Sequence, residues 1–311
     1  MFNYAYEVPE QKRMRLIIHT DCKNEADDQF AVVHQLLTPK LDVRGIVAAH
    51  FEATTRPHAP GSTVLESRKE IIKLLELMGI PEAYPVVDGS AVPLKDTVTP
   101  SPSPAVDFII QEALRDDPRP LYIGLQGGLT DIASAILTEP AICSRMTAIW
   151  IGGGNYPAGN QEFNLSQDIN AANVLFASSM PVWQVPQTVY KQFSTTLAEL
   201  QLKVMPCGKI GRYLFEQMVQ VNLDRADNPL WPHGEIWGLG DQGVIAALME
   251  ESKRPDNWEM LPAPAVDPAD MTYIHDTGYR PIKVYRRMDA RTVLEDFFAK
   301  MQLQFGGKAD C

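Results

Sequence analysis

The sequence predicts an α/β fold in which one open, mostly parallel sheet carries helices on both faces. Short apolar runs alternate along the chain with longer segments in which apolar residues recur every three or four positions. This alternation is typical of βα units. Several apolar runs end in glycine and polar residues, at the sheet edge where ligands of doubly wound folds bind. Without an internal repeat or a low-complexity tract, residues 1–311 are expected to form one domain.

The first βα unit contains a cluster of acids. Residues 16–18 are predicted to form a short buried strand, and residues 30–37 a helix with apolar residues at three- and four-residue spacing. The turn between them holds Asp21, Glu25, Asp27 and Asp28. Four carboxylates this close repel one another unless a positive charge lies between them, and a hard divalent cation with oxygen ligands is the usual partner.

A second interpretation of this turn remains open. Asp27 and Asp28 precede a predicted helix, and acids in the first turn of a helix are an ordinary start signal because they face its positive end. The spacing alone does not decide between helix capping and metal binding.

The remaining elements are predicted in the same alternating order. Strands are expected at residues 41–50, 84–89, 121–125 and 146–151. Helices are expected at residues 64–78, 106–114 and from about 130 through 135. Residues 54–62 and the proline- and serine-rich residues 95–104 are expected to be surface loops. From about Ser194 the chain is expected to be mainly helical and to continue the same domain.

The overall charge narrows the class of ligand. The chain carries a formal net charge of -11, which argues against nucleic acid or an anionic membrane surface as a main partner, since both need a basic surface. A small neutral or cationic ligand fits this charge better.

Cysteine usage and hydropathy indicate a cytoplasmic protein. The four cysteines are far apart and form no CxxC pair, so neither a zinc site nor a disulfide framework is predicted. The N-terminus has no signal-peptide pattern, and no apolar run approaches the ~20 residues that span a bilayer. We therefore expect neither secretion nor membrane insertion.

Four motifs together resemble the inosine-uridine nucleoside hydrolase family. They are the acidic turn, the Gly-Gly-Leu-Thr-Asp-Ile-Ala segment at residues 127–133, Glu-Phe-Asn at residues 162–164 followed by Asp168 and two alanines, and Gly240-Asp241 before a late helix. The resemblance runs from about Leu16 to Met249. The longer acidic turn, Thr-Asp-x-x-Asn-Glu-x-Asp-Asp-Gln, resembles a divergent branch of that family.

The resemblance implies a calcium-dependent hydrolase of ribonucleosides or related N-ribosides that releases base and ribose. The implied Ca²⁺ ligands are Asp21, Asp28, the carbonyl of Thr130 and Asp241, all hard oxygen donors of the kind that Ca²⁺ prefers. Such an ion lowers the pKa of a bound water. Asp21 is implied to be the general base.

The same resemblance implies contacts to sugar and base. Ribose hydroxyls would contact Asp27, Asn155, Glu162 and Asn164, with Asn160 as a rival to Asn155. Read without the resemblance, residues 162–164 are a polar surface turn around one buried Phe. Trp237 and His233, with Trp231, precede Asp241 and would provide a wall or an acid over the departing base.

The chain also departs from the family pattern in ways that bear on function. His19 stands where the family has an Asp, and residues 22–25 replace a Pro-Gly, which lengthens the turn by two residues and places Lys23 near the expected cation. Phe51-Glu52 replaces a Gly-Asn pair. Gly240 stands where the family has a His, which removes one proton donor for the leaving group.

Two other functions remain open from the sequence. A Mg²⁺ phosphohydrolase would need a lysine or arginine cradle for phosphate, and no Gly-x-x-x-x-Gly-Lys loop is present. A binding protein could retain the cation and the sugar pocket without turnover. The family resemblance also implies a homo-oligomer, either a dimer or a tetramer, and a nucleoside or riboside as the small-molecule partner.

Overall fold

The computed structural model describes residues 2–228, 234–250 and 255–307. Within these ranges the strands are β1 (Met14–Thr20), β2 (Leu41–Ala48), β3 (Val86–Asp88), β4 (Leu121–Leu125), β5 (Met146–Ile151), β6 (Val182–Val185), β7 (Ser194–Thr196), β8 (Ile236–Gly238), β9 (Trp258–Pro262), β10 (Ala265–Val266), β11 (Tyr273–Ile274) and β12 (Pro281–Tyr285).

The helices of the same ranges surround the sheet. They are α1 (Asp28–Leu36), α2 (Thr63–Leu77), α3 (Pro104–Leu114), α4 (Thr130–Thr138), α5 (Phe163–Ser166), α6 (Ile169–Ala177), α7 (Gln187–Tyr190), α8 (Leu197–Lys203), α9 (Gly208–Asp224), α10 (Gln242–Met249) and α11 (Ala290–Phe305). Short 3₁₀ helices at Glu10–Lys12, Pro140–Ser144 and Pro255–Asn257 complete the regular structure of the described residues.

Eight of the described strands form one sheet in the order β3-β2-β1-β4-β5-β6-β12-β9. All neighbours pair in parallel except β9, which pairs antiparallel with β12. The chain leaves β1 toward β2 on one side and returns to β4 on the other, so the strand order reverses beside β1. In open α/β sheets ligands bind at such a reversal, outside the carboxyl ends of the strands.

Two apolar cores cover the two faces of this sheet. In β1, Leu16 and Ile18 belong to the core that includes α1, α9, α10 and α11, whereas Ile17 belongs to the core that includes α3, α4 and α6. Successive residues of a strand point to opposite faces, and all three are fully buried. An uninterrupted apolar run is therefore the expected signature of a strand covered on both sides.

The predicted fold class is confirmed, and the predicted strands and helices of the first half lie within a few residues of the observed ones. The description of the last third needs a correction. Besides four helices, it contributes β9 and β12 to the main sheet. Both strands lie at or near the sheet edge, where exposed positions such as Met260 interrupt the apolar run that reveals a central strand.

No helix in the described part of the chain is both long enough and apolar enough to cross a bilayer.

Candidate active site

An acid-rich pocket lies at the carboxyl ends of β1, β4 and β5, beside the reversal in strand order. We call it the acidic pocket. It is lined by Asp21, Asn24, Glu25, Asp27, Asp28, Gln126, Ile151, Glu162, Phe163, Asn164, Tyr190, Gly240 and Asp241. The parallel strands carry these side chains to one edge of the sheet because each lining segment follows a strand or begins a helix.

The turn between β1 and α1 supplies four of the acids. Its backbone folds back at once, since the Asn24 amide donates to the Asp21 carbonyl over 3.1 Å. The Thr20 hydroxyl donates to Oδ1 of Asp28 and ties the end of β1 to the first residue of α1. The local sequence thus brings Asp21 and Asp28 back to one side of the turn.

The carboxylates of three acids converge from distant parts of the chain. One oxygen each of Asp27, Asp28 and Asp241 lies within 4.8 Å of the others. Asp28 and Asp241 are 2% and 4% exposed, so water screens their charges poorly.

Asp27 immediately precedes α1, but its side chain makes no capping hydrogen bond to that helix. The structure therefore favours a pocket role for this acid over a cap.

Asp21 lines the same pocket with one oxygen unsatisfied. Its side chain is 1% exposed, and Oδ2 is buried without a hydrogen-bond partner. An unpaired buried carboxylate oxygen is costly unless a proton or a cation occupies its lone pairs. The donor set of Asp21, Asp27, Asp28 and Asp241 consists of hard oxygens only, which suits a cation such as Ca²⁺ or Mg²⁺. The residues present thus fit a divalent cation.

Burial and mutual repulsion raise the pKa values of the pocket acids. Burial, followed by the charge of Asp27, raises the pKa of Glu25 to about 8 and that of Asp28 to about 7. Burial raises the pKa of Asp27 to about 6. For Asp21 and Asp241 burial is again the largest cause, followed by neighbouring aspartates, and both pKa values lie well above the usual range. Each shift shows that the pocket favours added positive charge.

The opposite wall of the pocket is held by hydrogen bonds around Glu162. Its Oε2 accepts from the amides of Gly153 and Leu165, both over 2.8 Å, and its Oε1 accepts from the Tyr190 hydroxyl over 2.7 Å. Asn164 donates from Nδ2 to the Ile151 carbonyl over 2.9 Å. These bonds fix the orientation of Glu162 and Asn164 toward a small polar ligand.

Two further residues shape the floor of the pocket. Gln126 is 1% exposed, accepts from Gln35 through Oε1, and has an Nε2 group without a partner. Gly240 packs so closely on Tyr190 that a Cβ atom at this position would lie 2.8 Å from Cδ2 of the tyrosine ring. The ring therefore occupies the space that a side chain at position 240 would need.

The sequence model of the inosine-uridine preferring nucleoside hydrolase family matches residues 16–295. The chain belongs to this family. It is 29% identical over 192 residues to a pyrimidine-specific ribonucleoside hydrolase of Salmonella arizonae and 28% identical over 195 residues to one of Citrobacter koseri. Each match covers 54% of this chain and 59% of the relative, so it spans less than two thirds of the relative's length.

Solved structures of nucleoside hydrolases share the fold over nearly the whole chain. A purine-preferring ribonucleoside hydrolase from Gardnerella vaginalis superposes with a TM-score of 0.72 at 20% identity, covering 93% of this chain and 99% of that one. A plant nucleoside hydrolase superposes with a TM-score of 0.68 at 20% identity, covering 93% and 98%. At this identity the likeness establishes the nucleoside hydrolase fold.

The residues that the nucleoside hydrolase pattern implied fall into two groups. Those that line the acidic pocket are Asp21, Asp27, Asp28, Glu162, Asn164 and Asp241. Asn155 and Asn160 are not among the lining residues, because the Asn155 amide donates to Oδ1 of Asn160 over 2.8 Å within their own loop. This loop, rather than the pocket, satisfies both residues.

Two other implied residues also lie away from the pocket. Thr130 begins α4, and its hydroxyl lies 2.7 Å from both His50 Nε2 and Asp168 Oδ2. Trp237 is 2% exposed within an apolar core, where β8 pairs with β7. It is not a wall of the described pocket. His233 and Trp231 lie outside the described residues.

The departures from the nucleoside hydrolase pattern have structural explanations. His19 Nε2 lies 3.1 Å from Oδ2 of Asp131, forming a fully buried pair beneath the turn. Burial raises the pKa of Asp131, but hydrogen bonds from His19, Ser90 and Ser103 outweigh this effect and lower it overall. Lys23 points away from the pocket acids toward Glu70, with Nζ 3.9 Å from Oε2. It therefore does not occupy the proposed cation site.

Sequence reasoning missed several pocket residues. Gln126 directly follows β4, so its position after a strand was a usable signal. Tyr190 and Asn24 gave none, because each is a single polar residue in a segment without a distinctive pattern. Only the folded chain brings Tyr190 to Glu162.

Proposed function

We propose that this protein hydrolyses the N-glycosidic bond of ribonucleosides or closely related N-ribosides with the help of Ca²⁺. The observation that carries the proposal is the set of buried carboxylates at the strand ends, one of which has an unsatisfied oxygen, in a chain of the nucleoside hydrolase family. Few functions other than holding a cation beside a polar substrate compensate for so much buried negative charge.

Asp28 and Asp241 would hold the cation together with Asp21, and the Thr130 carbonyl is a further candidate ligand. Asp28 and Asp241 belong to the converging group, and Asp21 contributes the unsatisfied oxygen. Asp27, the third member of the group, could serve as a ligand or as a ribose contact. When bound, the ion supplies Lewis-acid chemistry that lowers the pKa of water.

Asp21 is the proposed general base. Its buried, unpaired Oδ2 has a free lone pair that can take a proton from attacking water. As the water oxygen bonds to C1′ of ribose, the C1′–N bond breaks and its electron pair leaves with the base. The sugar passes through an oxocarbenium-like state, which the surrounding carboxylates stabilise electrostatically.

Asp27, Glu162 and Asn164 are the proposed ribose contacts. All three line the pocket, and the backbone and Tyr190 fix Glu162 in place. Carboxylates accept hydrogen bonds from hydroxyl groups, while the asparagine amide can both donate and accept. Several such groups on one side of a small pocket suit a hydroxyl-rich ligand.

The phosphohydrolase alternative is weakened by the pocket charge. Among the described residues no lysine or arginine lines the acidic pocket, whereas phosphate recognition needs cationic or amide-rich cradles. A binding protein without turnover makes a distinct prediction, namely retained ligand binding without product.

The direct experiment is release of free base from nucleosides in Ca²⁺ and in EDTA. We expect release in Ca²⁺ and less than about 1% of it in EDTA or in Asp28→Ala, because loss of an ion that assists the reaction costs several kcal/mol. Asp107→Ala, which removes an exposed acid on α3, is the matched control and should retain full activity.

Two results would contradict the proposal. Release that persists in EDTA and in Asp28→Ala would remove the cation from the account. Tight nucleoside binding by calorimetry with no product would instead support the binding-protein alternative.

A further inference from the structure

The acidic pocket has an excess of negative charge beyond what one divalent cation neutralises. Six of its thirteen lining residues are acids: Asp21, Glu25, Asp27, Asp28, Glu162 and Asp241. Within residues 2–228, 234–250 and 255–307, none of the lining residues is lysine or arginine. Arg225 approaches from outside, donating from NH2 to the Asn24 carbonyl over 3.3 Å, and its charge faces Glu25. Even with Arg225 and one dication, carboxylates outnumber the positive charges.

The described lining also lacks a ready proton donor for a departing base. It contains no histidine and no cysteine. The Tyr190 hydroxyl is the available neutral acid, but its hydrogen is donated to Oε1 of Glu162. Gly240 offers no side chain, and the Tyr190 ring fills the space beside it. A neutral nucleoside releases its base as an anion unless a proton is supplied, so such a substrate gains little help here.

Glu25 is an acid beyond those that the cation and the ribose need. It lies in the turn between β1 and α1, lines the pocket, and is not part of the converging group of Asp27, Asp28 and Asp241. A positive charge in the pocket favours the ionised form of its carboxyl group. This carboxylate is therefore available to a cationic part of the substrate.

We propose that the preferred substrates are nucleosides whose base already carries a positive charge, such as N-ribosylpyridinium compounds or N-alkylated purine ribosides, and that Glu25 recognises this charge. The inference rests on the proposed hydrolase function. A cationic base is attracted by the surplus carboxylates and leaves as a neutral molecule.

The reaction balances without an external acid. The C1′–N bond breaks, and its electron pair neutralises the ring nitrogen cation. The water oxygen forms the new bond to C1′ and gives one proton to Asp21 and then to solvent. A cationic riboside and water thus yield ribose, a neutral base and one proton, with no change in oxidation state.

The experiment compares kcat/KM for nicotinamide riboside with inosine, uridine and nicotinic acid riboside, in Ca²⁺ at pH 8 with enzyme-free blanks subtracted. Nicotinic acid riboside is a matched probe, since its ring is also a pyridinium but its carboxylate cancels the net charge. We expect nicotinamide riboside to exceed each of the others by about tenfold or more, and the advantage to shrink at high salt.

Glu25→Gln tests recognition rather than the intrinsic reactivity of pyridinium ribosides. It should lower the ratio of kcat/KM for nicotinamide riboside over inosine by about tenfold, because a carboxylate–cation attraction is lost while the shape is kept. The exposed Glu82→Gln is the matched control and should keep the wild-type ratio. If Glu25 instead protonates neutral bases, the ratio will rise, which would overturn the proposal.

The outcomes separate this inference from the proposed function. Inosine or uridine hydrolysed as well as nicotinamide riboside, with an unchanged ratio in Glu25→Gln, would overturn the inference and leave the hydrolase function standing. No hydrolysis of any of the four ribosides would contradict the proposed function itself.

Discussion

Asp21 and Asp241 are separated by most of the chain, yet both are nearly inaccessible to water in the same pocket. Each has a pKa raised first by burial and then by neighbouring aspartates. Residues in this condition destabilise the fold in their ionised form, and their retention indicates a functional purpose. Without a cation, the pocket should therefore lower the stability of the whole protein.

We expect the metal-free protein to be less stable at pH 8.5 than at pH 5.5. Asp27, Asp28 and Glu25 have pKa values raised to about 6, 7 and 8. The folded state therefore holds more protons than the unfolded state between about pH 4 and 8, and the free energy of unfolding falls as pH rises through this window. Thermal unfolding in EDTA at the two pH values measures the effect.

Two comparisons make this pH prediction specific. Asp28→Asn should show a smaller loss of Tm on raising the pH, because one titrating carboxyl is gone. Added Ca²⁺ should raise the Tm at pH 8.5 by binding the folded state. An EDTA-treated protein that is equally or more stable at pH 8.5 would contradict the burial of these charges.

Tyr190→Phe tests the wall opposite the acidic turn. The substitution removes the hydroxyl that donates to Oε1 of Glu162 over 2.7 Å. We expect KM for a hydrolysed nucleoside to rise about tenfold, since a hydrogen bond to a charged group contributes roughly 1.5–3 kcal/mol and Glu162 would be less well oriented. Steady-state kinetics provide the measurement. Tyr6→Phe, at a half-exposed position, is the control, and equal KM values for the two variants would count against this role.

At the scale of elements, α2 and α9 hold the acidic turn from outside the pocket. Gln217 of α9 donates from Nε2 to the Ala26 carbonyl over 2.8 Å. Glu70 of α2 is 5% exposed and accepts from Gln29 Nε2 over 3.1 Å, and the Tyr213 hydroxyl of α9 also donates to it. These bonds fix the lengthened turn on both sides of Glu25.

Gln217→Met should weaken Ca²⁺ binding without touching a pocket residue. Groups that orient metal ligands from behind typically change the affinity about 10–100-fold. We expect about a tenfold rise in the calcium Kd by isothermal titration calorimetry. Gln220→Met, at an exposed position on the same helix, is the matched control. Indistinguishable Kd values for the two variants would show that α9 does not position the turn.

At the scale of the whole molecule, much of the fold followed from the sequence because apolar periodicity is a local signal. The buried runs of β1, β4 and β5 were predicted within a few residues. The two edge strands β9 and β12 were missed, since partly exposed strands lack a continuous apolar run.

The site was predictable only where chemistry is concentrated in sequence. Asp21, Asp27 and Asp28 lie in one turn, and the resemblance added Glu162, Asn164 and Asp241, which all line the pocket. Asn155 and Asn160 were assigned to the sugar, but they bond to each other in their own loop. Such pairings, like that of Tyr190 with Glu162, depend on three-dimensional approach and leave no trace in spacing.

The account as a whole depends on acids from the first turn and the late helix gripping one cation. Crystals grown with Ca²⁺ and measured for anomalous scattering test this most directly. We expect one strong peak at about 2.3–2.6 Å from carboxylate oxygens of both Asp28 and Asp241. An enzyme that is active in those crystals but shows no peak between these two residues would contradict the account.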